Sequence, residues 1–430
     1  MAPPGADPRY MTSKTDFANH IRLNGEVLLA QLQQLGNIGC DADLGGRTRI
    51  ALTDNEKAGR DQLVAWMREL DLDIGIDQIG NIFGTLSPAT QEEKALAPLM
   101  IGSHIDTVKN AGALDGCYGV LSGLAVIRAF REANKLPTRP ITVAAFTNEE
   151  GVRYQPDMMG SLVCAGGLSI DTALQTIGTD GTRLGDELKR IGYAGEIAPT
   201  SVVPHEYLEL HIEQGPILEA EDKQIGVVEN LQGISWQKIT IQGNANHAGT
   251  TPMRLRNDAG WAAASVMTFL RELAASSENT LATVGSLKLA PDLINVIPRS
   301  ATFTVDLRDP DEQQLRSAEH RLKSHLTVLE QQEGVKIVSE QLARFEPVIF
   351  DTRLVNAIEM SAQRLGFSYR RMTSGAGHDA QMIARVAPAA MIFVPSRDGI
   401  SHNPREHTDD EQLLNGAQVL LDVVLQRLAK

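Results

Sequence analysis

The chain contains 430 residues, carries a formal net charge of -14 at pH 7 and is 42% hydrophobic. This length exceeds what one hydrophobic core usually serves, so two domains are expected. The acidic balance argues against nucleic acid and anionic membrane surfaces as partners. No stretch approaches the roughly 20 apolar residues that span a bilayer, so no membrane partner is expected.

The cysteines and the N-terminus predict a cytoplasmic protein. Cys40, Cys117 and Cys164 are odd in number, widely separated and without CxxC spacing. This pattern is typical of reduced thiols and not of a disulfide framework. Residues 1–16 lack the apolar run of a secretory signal and are expected to form a mobile tail.

The first part of the chain predicts helices alternating with strands. Apolar residues recur at helical spacing over 17–34 and over 53–70, where Thr53 and Glu56 match the S/T-x-x-E capping box. Strand-like segments follow at 72–79, 81–86, 99–104 and 141–147. A helix predicted over 119–133 completes a strand, helix, strand unit of the kind that builds parallel sheets. The first domain is therefore expected to be α/β.

The periodicity of apolar residues is less regular over 160–204, where short helices and turns are expected. Order returns with an alternating strand over 207–213, whose end carries His211, Glu213 and Gln214.

A self-contained unit follows. Its predicted elements are a strand over 236–242, a helix over 258–275, strands over 283–289 and 300–307, a helix over 310–330 and a strand over 335–344. This βαββαβ order is the ferredoxin-like split pattern and closes on itself, as an inserted domain would. A helix over 354–365, a strand over 391–394 and a helix over 411–428 are expected to rejoin the first domain. The predicted domains are therefore 17–231 and 345–430 together, with 232–344 inserted.

The stretch MIGSHIDTVKNAGALDGCYGVLSG places His104, Asp106 and Asp115 in a glycine-rich loop after a buried strand. His104 and Asp106 are two residues apart, so their side chains leave an extended backbone on one face. One could bind a metal ion while the other orients it, because an imidazole ligand needs an acceptor on its second nitrogen. A lone His-x-Asp is more often an ordinary pair at the end of a strand.

Four further segments carry residues that can bind metal. They are FTNEEG with Glu149 and Glu150, HIEQG with His211, GAGHDA with His378 and Asp379, and SHNPREHT with His402 and His407. Neighbours on extended backbone point in opposite directions, so one of the paired glutamates could bind metal while the other serves as general base. Each segment alone has an ordinary structural explanation. Together they indicate a site, because the ends of parallel strands are where α/β sheets place their sites.

The sequence resembles the dinuclear metallo-amidohydrolases related to zinc aminoacylases and carboxypeptidases. The motifs that carry the resemblance are GSHIDT, LDGCYG, TNEEG, HIEQG, HAGTTPM, NVIP with DLRDP, SGAGHDA and SHNPRE. The most similar branch contains N-carbamoyl-L-amino acid hydrolase, allantoate amidohydrolase and yeast-type β-ureidopropionase. Its marker is His211, because the peptidase relatives usually carry an acidic ligand there. The resemblance implies a zinc exopeptidase-like fold, with helices on both faces of a mixed, mostly parallel sheet.

The same resemblance implies a role for each metal-site residue. His104, Asp115 and His211 would hold one ion, and Asp115, Glu150 and His402 the second. Asp115 would be the shared carboxylate, Glu149 the general base and Asp106 the partner of His104.

For substrate binding, the guanidinium of Arg308 is the expected partner of a substrate carboxylate, and the resemblance points to Gln214, His247, Asn295 and Gly377. The alternatives are an ordinary surface arginine at a strand end for Arg308 and a turn histidine on a lid loop for His247. Arg308 would grip a substrate carboxylate with two nitrogens at once. His247 would stabilise negative charge that develops on the substrate oxygen. His378 and His407 receive no such role and are expected either to be structural or to support the residues that hold the ions.

The resulting expectation is a homodimeric enzyme with two divalent ions per subunit, a lid or dimerisation role for the inserted domain, and a small substrate with a free carboxylate. Zinc, manganese, cobalt and nickel all suit the ligands. Hydrolysis of N-carbamoyl-L-amino acids is the first expectation and allantoate hydrolysis the second. An aminoacylase or dipeptidase is disfavoured by His211. A binding protein without activity is disfavoured because every ligand and the base are present.

Overall fold

The computed structural model describes residues 20–429. The predicted tail at 1–16 and the start of the helix predicted over 17–34 lie outside the described residues. The chain divides into two compact units, one formed by residues up to Glu229 and from Phe350 onward, the other by Asn230–Ile349. Among residues 20–429, no helix is both long and apolar enough to cross a membrane.

The strands are β1 (Asp73–Ile76), β2 (Ile82–Leu86), β3 (Leu99–His104), β4 (Ile141–Phe146), β5 (Glu206–Ile212), β6 (Ile225–Leu231), β7 (Gly233–Gln242), β8 (Leu281–Thr283), β9 (Leu287–Ala290), β10 (Ser300–Asp309), β11 (Lys336–Phe345), β12 (Val348–Ile349), β13 (Tyr369–Ser374) and β14 (Ala389–Val394). The helices are α1 (Gly25–Asn37), α2 (Asp54–Glu69), α3 (Gln91–Lys94), α4 (Cys117–Glu132), α5 (Met159–Cys164), α6 (Ile170–Gln175), α7 (Leu184–Ile191), α8 (Ile217–Ala220), α9 (Ala259–Ala275), α10 (Glu312–Glu333), α11 (Thr352–Leu365), α12 (Asp379–Ile383) and α13 (Asp410–Leu428).

The first unit is built on a mixed sheet with strand order β1-β2-β4-β3-β5-β14-β6, and β13 also pairs with β6. The four central strands β4, β3, β5 and β14 run parallel to one another. They are buried along their whole length, as strands covered on both faces must be. The flanking strands pair antiparallel. The predicted α/β class with a mixed sheet is thus confirmed.

Helix α4 packs tightly on this sheet because glycines remove side chains at the contact. A Cβ on Gly123 would lie 2.9 Å from Val143 Cγ2, and one on Gly119 would lie 2.5 Å from the carbonyl oxygen of Leu210. Helix α12 contacts the other face, where the amide of Ala380 donates to Glu209 at 2.7 Å. Glu209 and Leu210 are successive residues of β5 and therefore point to opposite faces.

The N-terminus of α2 differs from the predicted capping box. Thr53 Oγ1 accepts the amide of Glu56 at 3.4 Å, as the box requires. The Glu56 carboxylate, however, accepts the amide of Leu52 at 3.1 Å and forms an ion pair with Arg60. Both charged side chains are buried, and a buried guanidinium needs a carboxylate partner more than a helix terminus does. The predicted hydrogen bond from the Thr53 amide to the Glu56 carboxylate is therefore wrong.

The second unit has a five-stranded sheet with order β11-β7-β10-β8, and β9 also pairs with β10. All these pairs are antiparallel. Helices α9 and α10 supply the apolar side chains that cover one face of the sheet, with Phe303 fully buried among them. Strand β12 pairs with Asn230 and Leu231. The arrangement is that of a βαββαβ unit, as the order of elements predicts.

One predicted strand of this unit is divided in two. The sequence predicts a continuous strand over 283–289, whereas β8 and β9 each pair with β10 and 284–286 leave the ladder between them. Gly285 lies at this break, and glycine weakens a strand interior because it has no side chain to pack.

Strands β6 and β13 were not predicted from the sequence. Strand β13 reads YRRMTS, which lacks the alternation of apolar residues that identifies a strand, and three of its residues carry partly exposed polar side chains. Its pairing with β6 decides its structure, and that contact is not visible in a local pattern.

Candidate metal centre

Asp115 is the residue around which the polar side chains of the first unit gather. It is buried in the turn that precedes α4. Its Oδ1 lies 3.5 Å from His104 Nε2 and 3.2 Å from His211 Nε2. Its Oδ2 lies 3.1 Å from His402 Nε2. One carboxylate therefore faces three imidazole nitrogens, two through one oxygen and one through the other.

His104 and His211 form the first ligand group with Asp115. They stand at the carboxyl ends of β3 and β5, and both are buried. His104 Nδ1 lies 3.0 Å from the carbonyl oxygen of Asp106, and His211 Nδ1 lies 2.8 Å from that of Ile212. Because a carbonyl oxygen can only accept, Nδ1 is the donor in each ring and Nε2 is the nitrogen that can bind an ion; in His211, Nε2 accepts the amide of Gly116 at 3.1 Å.

Glu150 and His402 form the second ligand group with Asp115. His402 Nε2 lies 3.4 Å from Glu150 Oε2. Glu150 is partly buried behind the end of β4, while the His402 side chain is 51% exposed on the loop after β14. The carboxyl ends of β3, β4, β5 and β14 thus bring both groups to one edge of the sheet.

Glu149 lies beside the first group, with Oε2 3.4 Å from His104 Nε2. The turn that carries Glu149 and Glu150 is held by Asp106, whose two carboxylate oxygens accept their backbone amides at 3.2 Å and 3.3 Å. The sequence predicts that the Asp106 carboxylate holds His104. In the structure that carboxylate is 3.7 Å from Nδ1, and the hydrogen bond goes to the backbone carbonyl of Asp106. The same carboxylate thus faces His104 and also orients the two glutamates.

Two neighbours of Asp115 were missed by the sequence analysis. Glu406 is buried and accepts the amides of Leu114 and Asp115 through Oε1, at 2.9 Å and 3.3 Å. Ser401 Oγ lies 2.9 Å from Glu406 Oε2. Both residues belong to the SHNPRE segment, but a spacing pattern does not reveal that a glutamate turns back onto the backbone of a distant loop.

The carboxylates around the histidines raise the pKa of each imidazole. Burial lowers the pKa of His104, but Glu149, Asp115 and Asp106 outweigh it and raise that pKa well above its ordinary value. For His402, the hydrogen bond to Asp115 and the charge of Glu150 raise the pKa to about 9. Asp115 shows the converse, because its histidine partners overcome burial and hold its pKa well below the usual range.

The two glutamates have raised pKa values, chiefly because burial disfavours their charged forms. The pKa of Glu150 rises to about 8 through burial and the nearby Asp115 charge. That of Glu149 rises well above its ordinary value through burial, opposed by His104. A carboxylate with a raised pKa accepts a proton more readily, which suits a general base.

Two of the predicted substrate-binding residues lie in the first unit. Gln214 Nε2 donates to Asp115 Oδ2 at 2.8 Å, so its side chain is at the centre. Gln214 Oε1 is buried and has no hydrogen-bond partner within the described part of the chain. Gly377 lies in the loop after β13, where an added Cβ would meet Met158 Cε at 3.1 Å. The next residue, His378, is buried with its ring centroid 4.5 Å from that of His211.

The other three lie in the second unit. His247 is exposed, and its Nδ1 accepts the amides of Gly249 and Thr250 at 3.0 Å and 3.3 Å, which turns Nε2 outward. The carbonyl of Asn295 accepts the amide of Ala248 at 3.0 Å, so the fold brings the His247 and Asn295 loops together. Arg308 stands on β10.

The Arg308 guanidinium forms an ion pair with Asp306, at 2.9 Å from Nη2 to Oδ2. Its Nε also donates to Asp306, at 3.1 Å to each oxygen. Asp306 thereby occupies the Nε and Nη2 side of the guanidinium and fixes the orientation of the side chain.

His407 lies apart from the ligand groups. Its Nε2 is 2.9 Å from Asp409 Oδ1, at the N-terminus of α13, and the side chain is 45% exposed.

The residues present fit metal ions. In each ligand group, one ligand atom per residue lies within 4.8 Å of the others, which is close enough for a single ion to reach all three. Imidazole and carboxylate ligands suit zinc and its divalent neighbours. His104 and His211 both donate from Nδ1 to a main-chain carbonyl, the arrangement that metal-ligating histidines use for their second nitrogen.

Metal binding is expected to release protons. With a pKa of about 9, His402 is protonated at pH 7, and an ion must displace that proton. We expect the affinity of the metal-free protein for Zn²⁺ to rise by roughly tenfold per pH unit between about pH 6 and pH 9 for each proton released. Calorimetric titration at pH 7 in two buffers with different ionisation enthalpies measures the release. The exposed His407→Ala variant is the control and should match the wild type, and equal heats in both buffers would contradict the expectation.

An α/β sheet with histidines and carboxylates gathered at the ends of its parallel strands is typical of metal-dependent hydrolases. Residues 100–426 match the sequence profile of Peptidase family M20/M25/M40. The chain belongs to this family, and the resemblance described above is confirmed.

Individual relatives are similar over nearly the whole chain. An N-carbamoyl-L-amino-acid amidohydrolase from Rhizobium meliloti is 39% identical over 406 residues, which cover 94% of this chain and 97% of the relative. The allantoate amidohydrolase of Bacillus subtilis (strain 168) is 33% identical over 397 residues, 91% of this chain and 95% of the relative. The crystal structure of an amidase of the hydantoinase/carbamoylase family from Burkholderia multivorans has a TM-score of 0.92 and 41% identity, and the match covers 95% of this chain and 99% of that one.

Proposed function

We propose that this chain is an amidohydrolase that converts an N-carbamoyl-L-amino acid and one water molecule into the amino acid, carbon dioxide and ammonia. The observation that carries the proposal is the position of His211, an imidazole at the place where peptidase relatives usually carry an acidic ligand, 3.2 Å from Asp115. The curated relative from Rhizobium meliloti, whose name states this activity, supports the choice of substrate.

We further propose two divalent ions per subunit. His104, Asp115 and His211 would hold one ion, and Asp115, Glu150 and His402 the other. When bound, the ions lower the pKa of the attacking water and polarise the carbonyl of the substrate. Zinc is the first choice, and manganese, cobalt or nickel would suit the same ligands.

Glu149 is the general base in this proposal. Its carboxylate stands beside His104 but belongs to neither ligand group, so it is available to take a proton from the attacking water. The same carboxyl group then delivers the proton to the nitrogen that departs as the ureido C–N bond breaks. Asp106 contributes by fixing the backbone on which Glu149 stands, through the amides it accepts.

Five residues are proposed to bind the substrate. Arg308 would pair with its free carboxylate, in the orientation that Asp306 imposes. His247 would donate from Nε2 to the carbonyl oxygen as negative charge develops there. Polar contacts would come from Asn295, from the carboxamide of Gln214 and from the backbone at Gly377.

We also propose that the enzyme is a cytoplasmic homodimer in which the second unit serves as a lid and in dimerisation. Exposed apolar side chains on that unit support the dimer, with Trp261 58% and Leu281 54% exposed.

Allantoate is the second candidate substrate. It also carries ureido groups and a free carboxylate, and the relative from Bacillus subtilis supports it. The proposed roles of the ligands and of Glu149 are the same for both substrates, so only the substrate-binding residues would differ.

Ammonia release by the zinc-loaded protein, measured together with release of the free α-amino group, tests the proposed reaction, because cleavage of an acyl-amino acid frees an amine but no ammonia. The panel contains several N-carbamoyl-L-amino acids, N-carbamoyl-β-alanine, allantoate and acyl-amino acids, together with the carboxamide of one carbamoyl amino acid. We expect release from the carbamoyl amino acids and a much lower kcat/KM for the carboxamide, which lacks the carboxylate that Arg308 binds. Release from allantoate alone would favour the second candidate. Cleavage of acyl-amino acids, with none of carbamoyl compounds, would overturn both.

A further inference from the structure

Glu406 connects two segments that are distant in sequence. One of its oxygens accepts the amides of Leu114 and Asp115, and the other lies 2.9 Å from the hydroxyl of Ser401. Ser401 directly precedes His402. A single buried side chain therefore ties the backbone of the shared carboxylate to the loop that carries the histidine of the second ligand group.

The chain leaves room for this contact at Gly112. A Cβ on Gly112 would lie 2.1 Å from Glu406 Oε1 and 2.3 Å from its Cβ. No real Cβ approaches other atoms so closely, so any side chain at position 112 would displace Glu406.

The two ligand groups differ in how firmly the fold holds them. The first group is buried, and its histidines stand on the central strands β3 and β5. In the second group, His402 is 51% exposed and lies on a loop, in a left-handed conformation with φ of 53°. A non-glycine residue is strained in this region and keeps the conformation only where surrounding contacts impose it.

We propose that Glu406 is a positioning residue that sets the affinity of the second ion, the one assigned to Asp115, Glu150 and His402. The inference rests on the proposed dinuclear centre. Glu406 does not reach the ion itself. It acts by holding the Ser401–His402 turn at a distance from Asp115 that allows His402 and Asp115 to bind the same ion.

This positioning works through hydrogen bonds and not through the charge of Glu406. A glutamine at 406 keeps an acceptor oxygen for the two amides, and its NH₂ group can donate to Ser401, which accepts as readily as it donates. An alanine removes every contact. Outer hydrogen-bond partners of metal ligands typically change affinity by about 10- to 100-fold, so a change of that size is expected for the second ion with alanine.

The test is titration of the metal-free protein with Co²⁺, followed by calorimetry and by the visible absorption of the bound ion, with ion content measured by mass spectrometry. His402→Ala and His104→Ala provide reference titrations in which the second or the first ion is weakened. We expect Glu406→Ala to resemble His402→Ala, with the second ion weakened about 10- to 100-fold and the first unchanged, and Glu406→Gln to stay within about threefold of the wild type.

A second variant reaches the same contact from the opposite side. Gly112→Ala leaves Glu406 in the sequence but displaces it, and should weaken the second ion as Glu406→Ala does. Its matched control is Gly285→Ala, because a Cβ there would meet only Thr304 Oγ1, at 3.6 Å. The control for Glu406→Gln is Asp309→Asn. Asp309 is a buried carboxylate of the second unit that also accepts an amide and a hydroxyl, from Asp311 at 2.8 Å and Thr280 at 2.6 Å.

Each other outcome overturns the inference. If Glu406→Ala and Gly112→Ala both bind two ions as the wild type does, Glu406 has no positioning role. If they weaken both ions equally, the contact supports the whole centre and not the second ion. If Glu406→Gln weakens binding of the second ion as much as Glu406→Ala does, the charge of Glu406 and not its positioning contacts is responsible. A wild-type protein that binds fewer than two ions would instead refute the dinuclear centre itself, which separates that failure from the others.

Discussion

Replacing Glu149 by glutamine is expected to lower kcat about 10²- to 10⁴-fold while both ions stay bound. Glutamine keeps the shape of the side chain but has no basic oxygen at neutral pH, and general acid–base catalysis typically contributes a factor of this size. The proton of the attacking water would then have no acceptor at the place where Glu149 Oε2 now lies, 3.4 Å from His104 Nε2. The measurement is kcat for ammonia release alongside the ion content of the same sample.

The adjacent residue provides the matched control. Glu150→Gln alters the same turn, whose amides are both held by Asp106, but it replaces the carboxylate that we propose as a ligand of the second ion. We expect this variant to lose ion content as well as activity. If Glu149→Gln retains full activity with both ions bound, Glu149 has no part in proton transfer.

The Asp115→Asn variant is expected to lose both ions and, with them, all measurable activity. The carboxylate of Asp115 faces all three ligand histidines, through Oδ1 toward His104 and His211 and through Oδ2 toward His402. An asparagine presents one oxygen and one NH₂ group, so it offers an acceptor to one side and a donor to the other. The loss of affinity should exceed the roughly 100-fold that removal of an outer partner costs.

Zinc titration of the metal-free variant measures this loss, and Asp309→Asn serves as the control for a buried aspartate elsewhere. The circular dichroism of Asp115→Asn should match that of metal-free wild type, which separates lost ligation from misfolding. Two ions bound with wild-type affinity would contradict the role of Asp115 as the shared ligand.

The position of the metal centre could be predicted because residues that can bind metal follow strand-like segments in the sequence. Strand β3 was predicted with its observed bounds, because the apolar run over 99–101 leads directly into the glycine-rich segment that contains His104. Parallel strands align their carboxyl ends, so residues such as Glu150 and His211 were expected to meet at one edge. The five ligands themselves were implied by the family resemblance, and the structure brings all five together.

What the sequence did not reveal depends on contacts between distant segments. Glu406 reaches Leu114 across 292 positions of sequence, and no periodicity records such a contact. Asp106 was expected to hold His104 through its carboxylate, yet its backbone does so and the side chain binds the neighbouring turn. The two-residue spacing of His104 and Asp106 predicts that both side chains leave the strand on the same face. It does not predict which donors hydrogen-bond to the Asp106 carboxylate.

The way in which His104 and His211 are oriented affects how the centre tolerates mutation. In both, the acceptor at Nδ1 is a main-chain carbonyl, that of Asp106 and that of Ile212. Every amino acid supplies such an oxygen, so a substitution at 106 or 212 leaves the acceptor in place. His402 depends on a loop fixed by the side chains of Glu406 and Ser401, which single substitutions do remove. Random substitutions should therefore disrupt the second ligand group more often than the first.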